Sequence, residues 1–202
     1  MKKVILTLAL VFAGFVAANA QVWMGGSLGF NSTKANKDAN PVYTYSIAPE
    51  VGFTVGENWD IAIALGYAGS SYTAKETILG VNVTTKDISS TFSVEPYARW
   101  TAFNLGKVGF FLDGGIQYAT TTGKLTVENS VTGAYTEKTN SNLFWVGIQP
   151  GVKFAASDNI TFAARIGSLG YCSRKENTGD VASSFGLNVN NSAFTFGVWW
   201  TF

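Results

Sequence analysis

The chain has 202 residues, a formal net charge of +1, no histidine and one cysteine. That balance gives no basis for nucleic-acid binding, which draws on a basic excess. It also excludes Ser/His and Asp/His catalysis for want of the base, and an internal disulfide for want of a second thiol. No cofactor or metal is expected, and Cys172 reads as an inert thiol near a strand end rather than an intermolecular bridge.

The first element in the chain reads as a secretory signal over residues 1–20. Lys2 and Lys3 give the positive region, Val4 to Val16 the apolar stretch, and Ala18-Asn19-Ala20 a small-x-small cleavage site. The apolar stretch is too short for a spanning helix. The mature chain, 21–202, is then one domain. No later apolar run is long enough for a helix to cross a bilayer, so any membrane crossing falls to strands.

Period-two alternation predicts strands near 22–31, 42–55, 58–72, 87–103, 107–122, 141–156, 159–173 and 188–202. The connections near 32–41, 73–86, 123–140 and 174–187 are long and polar. Those at Gly56-Glu57, Asn104-Leu105-Gly106 and Ser157-Asp158 are tight turns. Strict alternation of long and short connections predicts a closed, eight-stranded, antiparallel up-and-down barrel. Short turns then lie on one side of a membrane and long loops on the other. Ile47 to Phe53, Val94 to Trp100 and Ile148 to Phe154 are similar to one another. They set Pro49, Pro96 and Pro150 at one position ahead of a short turn. Proline removes a ladder donor, so a shared bulge or missing bond is expected at each, on the lipid side.

The last strand sets the faces. Phe194, Phe196, Val198, Trp200 and Phe202 are large and apolar, the residues between them small or polar, and only Trp199 breaks the pattern. Carried back, this places Phe92, Trp100, Ile116, Tyr118, Phe144 and Phe162 outward at even positions, and Tyr45, Ile47, Val51, Phe53, Ile61, Leu65 and Tyr67 outward at odd ones. The opposite face gathers Glu50, Glu95, Arg99, Asp113, Lys153 and Arg165 with many small residues. Three acids oppose three bases. A narrow lumen has room only for side chains, and ions caged there must pair. A linked network of all six is expected, with Arg99 and Arg165 as hubs. Glu95 and Arg99, four residues apart on one face, read as an ion pair rather than as acid–base chemistry. Trp59, Trp100, Trp200 and Phe202 cluster near the short turns, as an interfacial girdle does. This, with the charges on the small-residue face, favours lipid outside over a soluble ligand-binding barrel.

With these features the chain resembles the small eight-stranded outer-membrane barrels of the outer-membrane protein A/X type, a single "outer membrane protein β-barrel" domain. The resemblance implies residence in the outer membrane of a Gram-negative envelope, in contact with its lipid and lipopolysaccharide. It also implies that the Phe194, Phe196, Val198, Trp200, Phe202 pattern is the signal read by the barrel-assembly machinery during biogenesis. The expected function is a non-enzymatic, plugged barrel presenting four surface loops for surface structure, adhesion or binding of an extracellular protein or ligand. The alternatives are a narrow pore for small solutes and, behind it, an enzyme working without histidine. The alternating segments Lys124 to Asn129 and Val131 to Lys138 suggest a hairpin rising above the membrane, with an edge open to strand addition.

Overall fold

The computed structural model describes residues 21–34, 40–78, 81–129, 131, 133–177, 179–189 and 194–202. The proposed signal segment, 1–20, lies outside them. The described residues form ten antiparallel strands: β1 (Val22–Thr33), β2 (Val42–Val55), β3 (Trp59–Ile78), β4 (Val81–Leu105), β5 (Val108–Asn129), β6 (Gly133–Ala155), β7 (Ile160–Ile166), β8 (Ser168–Glu176), β9 (Val181–Asn188) and β10 (Phe194–Thr201). Each strand from β1 to β6 pairs with its successor, β7 pairs with β10, and β10 pairs with β1. Eight strands thus close a ring. β8 extends the line of β7 and pairs with β6, and β9 forms a hairpin with β8.

Ten strands replace the expected eight for two local reasons. The expected strand 159–173 breaks at Gly167, whose φ of +74° takes it out of extended conformation. The stretch 174–187, expected as a loop, holds the end of β8 and most of β9. The final strand accordingly runs from Phe194, with residues 190–193 outside the described set. The expected loops 73–86 and 123–140 are instead largely continued strands, β3 paired with β4 as far as Ile78 and Val81 and β5 with β6 as far as Asn129 and Gly133. Their alternating β-branched residues suit a ladder better than a loop.

At the other end the hairpins turn within a few residues. Gly56 and Gly106 supply the positive φ of 68° and 62° that these turns need. Both ends of the described chain lie here, for Phe202 N–H donates to the Val22 carbonyl at 3.0 Å and Thr54 N–H to the Gln21 carbonyl at 2.9 Å.

The three prolines behave alike. The β2–β3 ladder skips Ala48 and Pro49, the β4–β5 ladder skips Glu95 and Pro96, and the partners of β6 change at Gln149 and Pro150. On the preceding strand each proline keeps its place in register. The missing N–H therefore opens one ladder, always toward the next strand. At the third site the register also slips by one residue, since Ile148 opposes Leu169 but Gly151 opposes Arg165. All three proline side chains, Pro49, Pro96 and Pro150, are exposed on the outward face.

The outward assignment holds for the exposed Tyr45, Ile47, Ile61, Leu65, Tyr67, Phe92, Trp100, Ile116, Tyr118, Phe144 and Phe162, while Val51 is half-buried. Phe53, also expected outward, is instead only 6% exposed. Trp199 follows the alternation by pointing inward, where it is buried.

Candidate functional site

The interior is organised around Arg99, which is 1% exposed. Register alone makes its first partner: Arg99 on β4 stands opposite Asp113 on β5. Its Nε and Nη2 donate to the two carboxylate oxygens at 2.7 and 2.8 Å, a bidentate fork. Arg165 on β7 crosses the lumen to both acids. Its Nε donates to Asp113 at 2.8 Å, and its Nη1 and Nη2 to Glu50 on β2 at 2.9 and 3.0 Å. Tyr97 completes Glu50 with a hydroxyl bond of 2.6 Å. Two guanidinium groups and two carboxylates thus form a neutral, hydrogen-bonded belt linking β2, β4, β5 and β7. Arg165 is the one member that reaches both acids.

Glu95 and Lys153 stand outside that belt. Glu95 accepts from Gln117 at 2.9 Å, and Lys153 donates to the Thr101 hydroxyl at 2.8 Å. Neither forms an ion pair among the described residues. The expected Glu95–Arg99 pair fails on geometry. Residues four apart in a strand are about 13 Å apart along it, whereas cross-strand partners approach to about 5 Å.

The belt also has an aromatic part that charge patterning does not reveal. The Arg99 guanidinium carbon lies 4.0 Å from the Trp199 ring centroid and 4.1 Å from that of Phe111, with Tyr97 at 5.5 Å and Trp23 at 5.8 Å. A weakly hydrated planar cation suits such faces. Glycines make room for the rings: a Cβ at Gly52 would meet the Trp23 ring, and one at Gly151 the Phe111 ring. Trp199, the break in the pattern of the last strand, was the available sequence signal for this cluster.

Two cavities flank the belt and share no lining residue. One, of about 230 Å³, lies toward the long hairpins and is lined by Ser46, Ser93, Glu95, Gln117, Gln149 and Thr195 among others. The other, of about 150 Å³, lies toward the short turns beside Thr54, Asp60, Lys153 and Trp199. Beyond the long-hairpin cavity, β3 to β6 rise as a four-stranded sheet. β2 accompanies β3 only to Tyr72, and β8 accompanies β6 only to Ser141. Among the described residues, Thr73–Ile78 and most of Gly133–Asn140 therefore keep one unpaired edge.

The expected assembly pattern runs along the end of β10. Phe196, Val198, Trp200 and Phe202 are exposed on the outward face, and the side chain of Phe194 lies outside the described set.

Comparison with known proteins places this architecture. The family model for the outer membrane protein beta-barrel domain matches residues 4–202. The chain belongs to this family. Its strands are membrane-crossing strands and its place is the outer membrane. The exposed apolar face is the one turned to lipid.

No curated protein matches the sequence. Among solved structures, a major outer membrane protein from Thermus thermophilus is similar at a TM-score of 0.49 and 12% identity, over 90% of this chain and 99% of that one. Neisserial surface protein A is similar at 0.40 and 15%, over 90% and 97%. Ail, the attachment invasion locus protein of Yersinia pestis, is similar at 0.36 and 14%, over 91% and 97%.

Proposed function

We propose that residues 21–202 form a closed eight-stranded barrel, exported by a cleaved signal over residues 1–20, that acts as a non-enzymatic anchor for the surface sheet β3–β6. The observation that carries this reading is the pairing of a neutral belt across the lumen with a sheet that outruns its neighbours on both sides. The belt stands between two cavities that share no lining residue, which supports a plugged lumen. The unpaired edges of β3 and β6 are backbone donors and acceptors held rigidly outside the cell. They suit an extended segment of an extracellular protein added as a further strand. The Phe194 to Phe202 pattern serves the barrel-assembly machinery, and the apolar face contacts outer-membrane lipid and lipopolysaccharide.

The test compares cells displaying the wild type with cells displaying a variant in which both long hairpins are cut back to the level of Tyr72 and Ser141. Retention of immobilised extracellular proteins by the wild type alone supports the reading. Equal retention by a correctly inserted short variant refutes it. A narrow pore is the second reading, favoured by the 230 Å³ cavity that Glu95, Gln117 and Gln149 help to line. Steady unitary conductance in planar bilayers would establish it over the plugged barrel.

A further inference from the structure

The sheet β3–β6 carries its two faces upward beyond the apolar belt, and charge sorts between them. The face that bears Tyr67, Phe92, Tyr118 and Phe144 lower down continues with Lys75, Lys86, Lys124 and Lys138, joined on β8 by Lys175; its one acid is Glu128. The other face, above the mouth of the ring, holds Glu76, Asp87, Glu137 and Glu176 with Arg174. Alternation carries the assignment, because the β4–β5 register is unshifted from Val83 to Thr101 and the β5–β6 register from Val108 to Asn129.

Position narrows the partner. Lys175 shares a row with Phe92, Thr120 and Asn142, so it sits at the rim of the apolar belt. Lys124 and Lys138 lie four residues higher, roughly 13 Å along the strands. They face each other directly across the β5–β6 ladder. Like charges so placed repel. Glu128, the one outward acid, is taken by Lys86 at 3.1 Å, and Lys124 and Lys138 form no ion pair among the described residues. A repelling, uncompensated lysine pair just above a lipid-facing belt is complementary to an anionic layer at that height.

We propose that this lysine face binds the phosphorylated headgroup of an outer-leaflet glycolipid, with Lys124 and Lys138 sharing one phosphate. The proposal rests on the membrane-spanning reading and adds the residues and chemistry by which the surface sheet meets the leaflet. Lysine stems lie along the apolar surface while the ammonium groups reach the headgroups.

The test uses the mature protein folded in neutral detergent, titrated with diphosphorylated lipid A and with the same lipid stripped of phosphate. The wild type should prefer the phosphorylated form. The Lys124→Gln/Lys138→Gln variant should bind it roughly thirty-fold more weakly, given the usual contribution of a lysine near an anionic surface. Glu76→Gln/Glu137→Gln, on the opposite face, should not weaken it. Equal binding of both lipids, an unchanged affinity in the double lysine variant, or displacement by equimolar inorganic phosphate would overturn the proposal. Heat-modifiable gel mobility and insertion into vesicles report the membrane reading separately. If those fail, the barrel is wrong; if those hold and the lipid preference is absent, only the lysine site is wrong.

Discussion

Replacing Arg99 by methionine tests the belt where it is most buried. The substitution keeps an unbranched apolar stem between Phe111 and Trp199 and removes the charge. Asp113, 3% exposed, loses the two short bonds from Arg99 and keeps one from Arg165. The belt passes from two cations and two anions to a net negative charge in a closed lumen. Breaking a buried pair in this way costs about 3–5 kcal/mol. The double change Arg99→Met/Asp113→Leu removes both charges together and leaves the Arg165–Glu50 fork in place. It should fall short of the sum of the single effects by about 2–3 kcal/mol, as residues of one network couple. Urea unfolding in lipid vesicles, followed by tryptophan fluorescence, measures all four corners of this cycle. An Arg99→Met midpoint equal to wild type, or additive single effects, would refute the belt as an energetic unit.

A Cβ at Gly151 would meet the Phe111 ring and the Ala164 backbone, whereas one at Gly114 meets nothing within 4 Å. Gly151→Ala should therefore destabilise the barrel by about 1–3 kcal/mol in the same assay, and Gly114→Ala should be near neutral. Substituting Pro96 by alanine restores an N–H toward β5 at a site that already lacks a ladder partner. It should change the unfolding free energy by less than about 1 kcal/mol and slow hydrogen exchange of the neighbouring β5 amides. Deleting Phe202 should lower outer-membrane yield in cells while leaving unaided refolding into thin vesicles unchanged. Equal losses in both would assign Phe202 to stability instead.

The faces of the barrel were legible because alternation is a strong constraint: one register slip moves a whole strand's apolar set to the wrong side. Outward Phe92 and inward Arg99 follow from counting alone. Pairing was not legible in the same way. Which acid meets Arg99 depends on the β4–β5 register, and sequence spacing within β4 points to Glu95 when the ladder delivers Asp113. The extent of the long hairpins was half legible. The alternation in Lys124 to Asn129 is visible, but a polar β-branched stretch such as Thr84-Thr85 reads equally well as loop. β9 gave no signal of alternation in burial, since it is exposed at every position. Phe53 follows the parity yet is buried, and parity does not report how neighbours on the same face crowd a side chain.

The aromatic part of the belt gives the seam of the ring its physical logic. Among the described residues, β1 lies along β2 over its whole length, from Val22 to Thr33, but meets β10 only from Trp23 to Ser27. With five pairs this ladder, like that between β6 and β7, is shorter than the others of the ring, and it is the one that joins the first strand to the last. Trp23 and Trp199 stand on the two sides of that seam with ring centroids 5.4 Å apart, and Phe111 reaches Trp199 from the far wall at 6.2 Å. Arg99 lies against all three rings and is itself fixed to Asp113. The ion pair therefore does more than neutralise the lumen. It holds a cation against the ring pair that spans the seam, so closure between the first and last strands draws on side chains from β4 and β5 as well as on the short ladder. This explains why a bulky indole occupies the inward face of a strand whose other inward positions are small or polar. It also places a close-packed aromatic cluster where the backbone ladder is short.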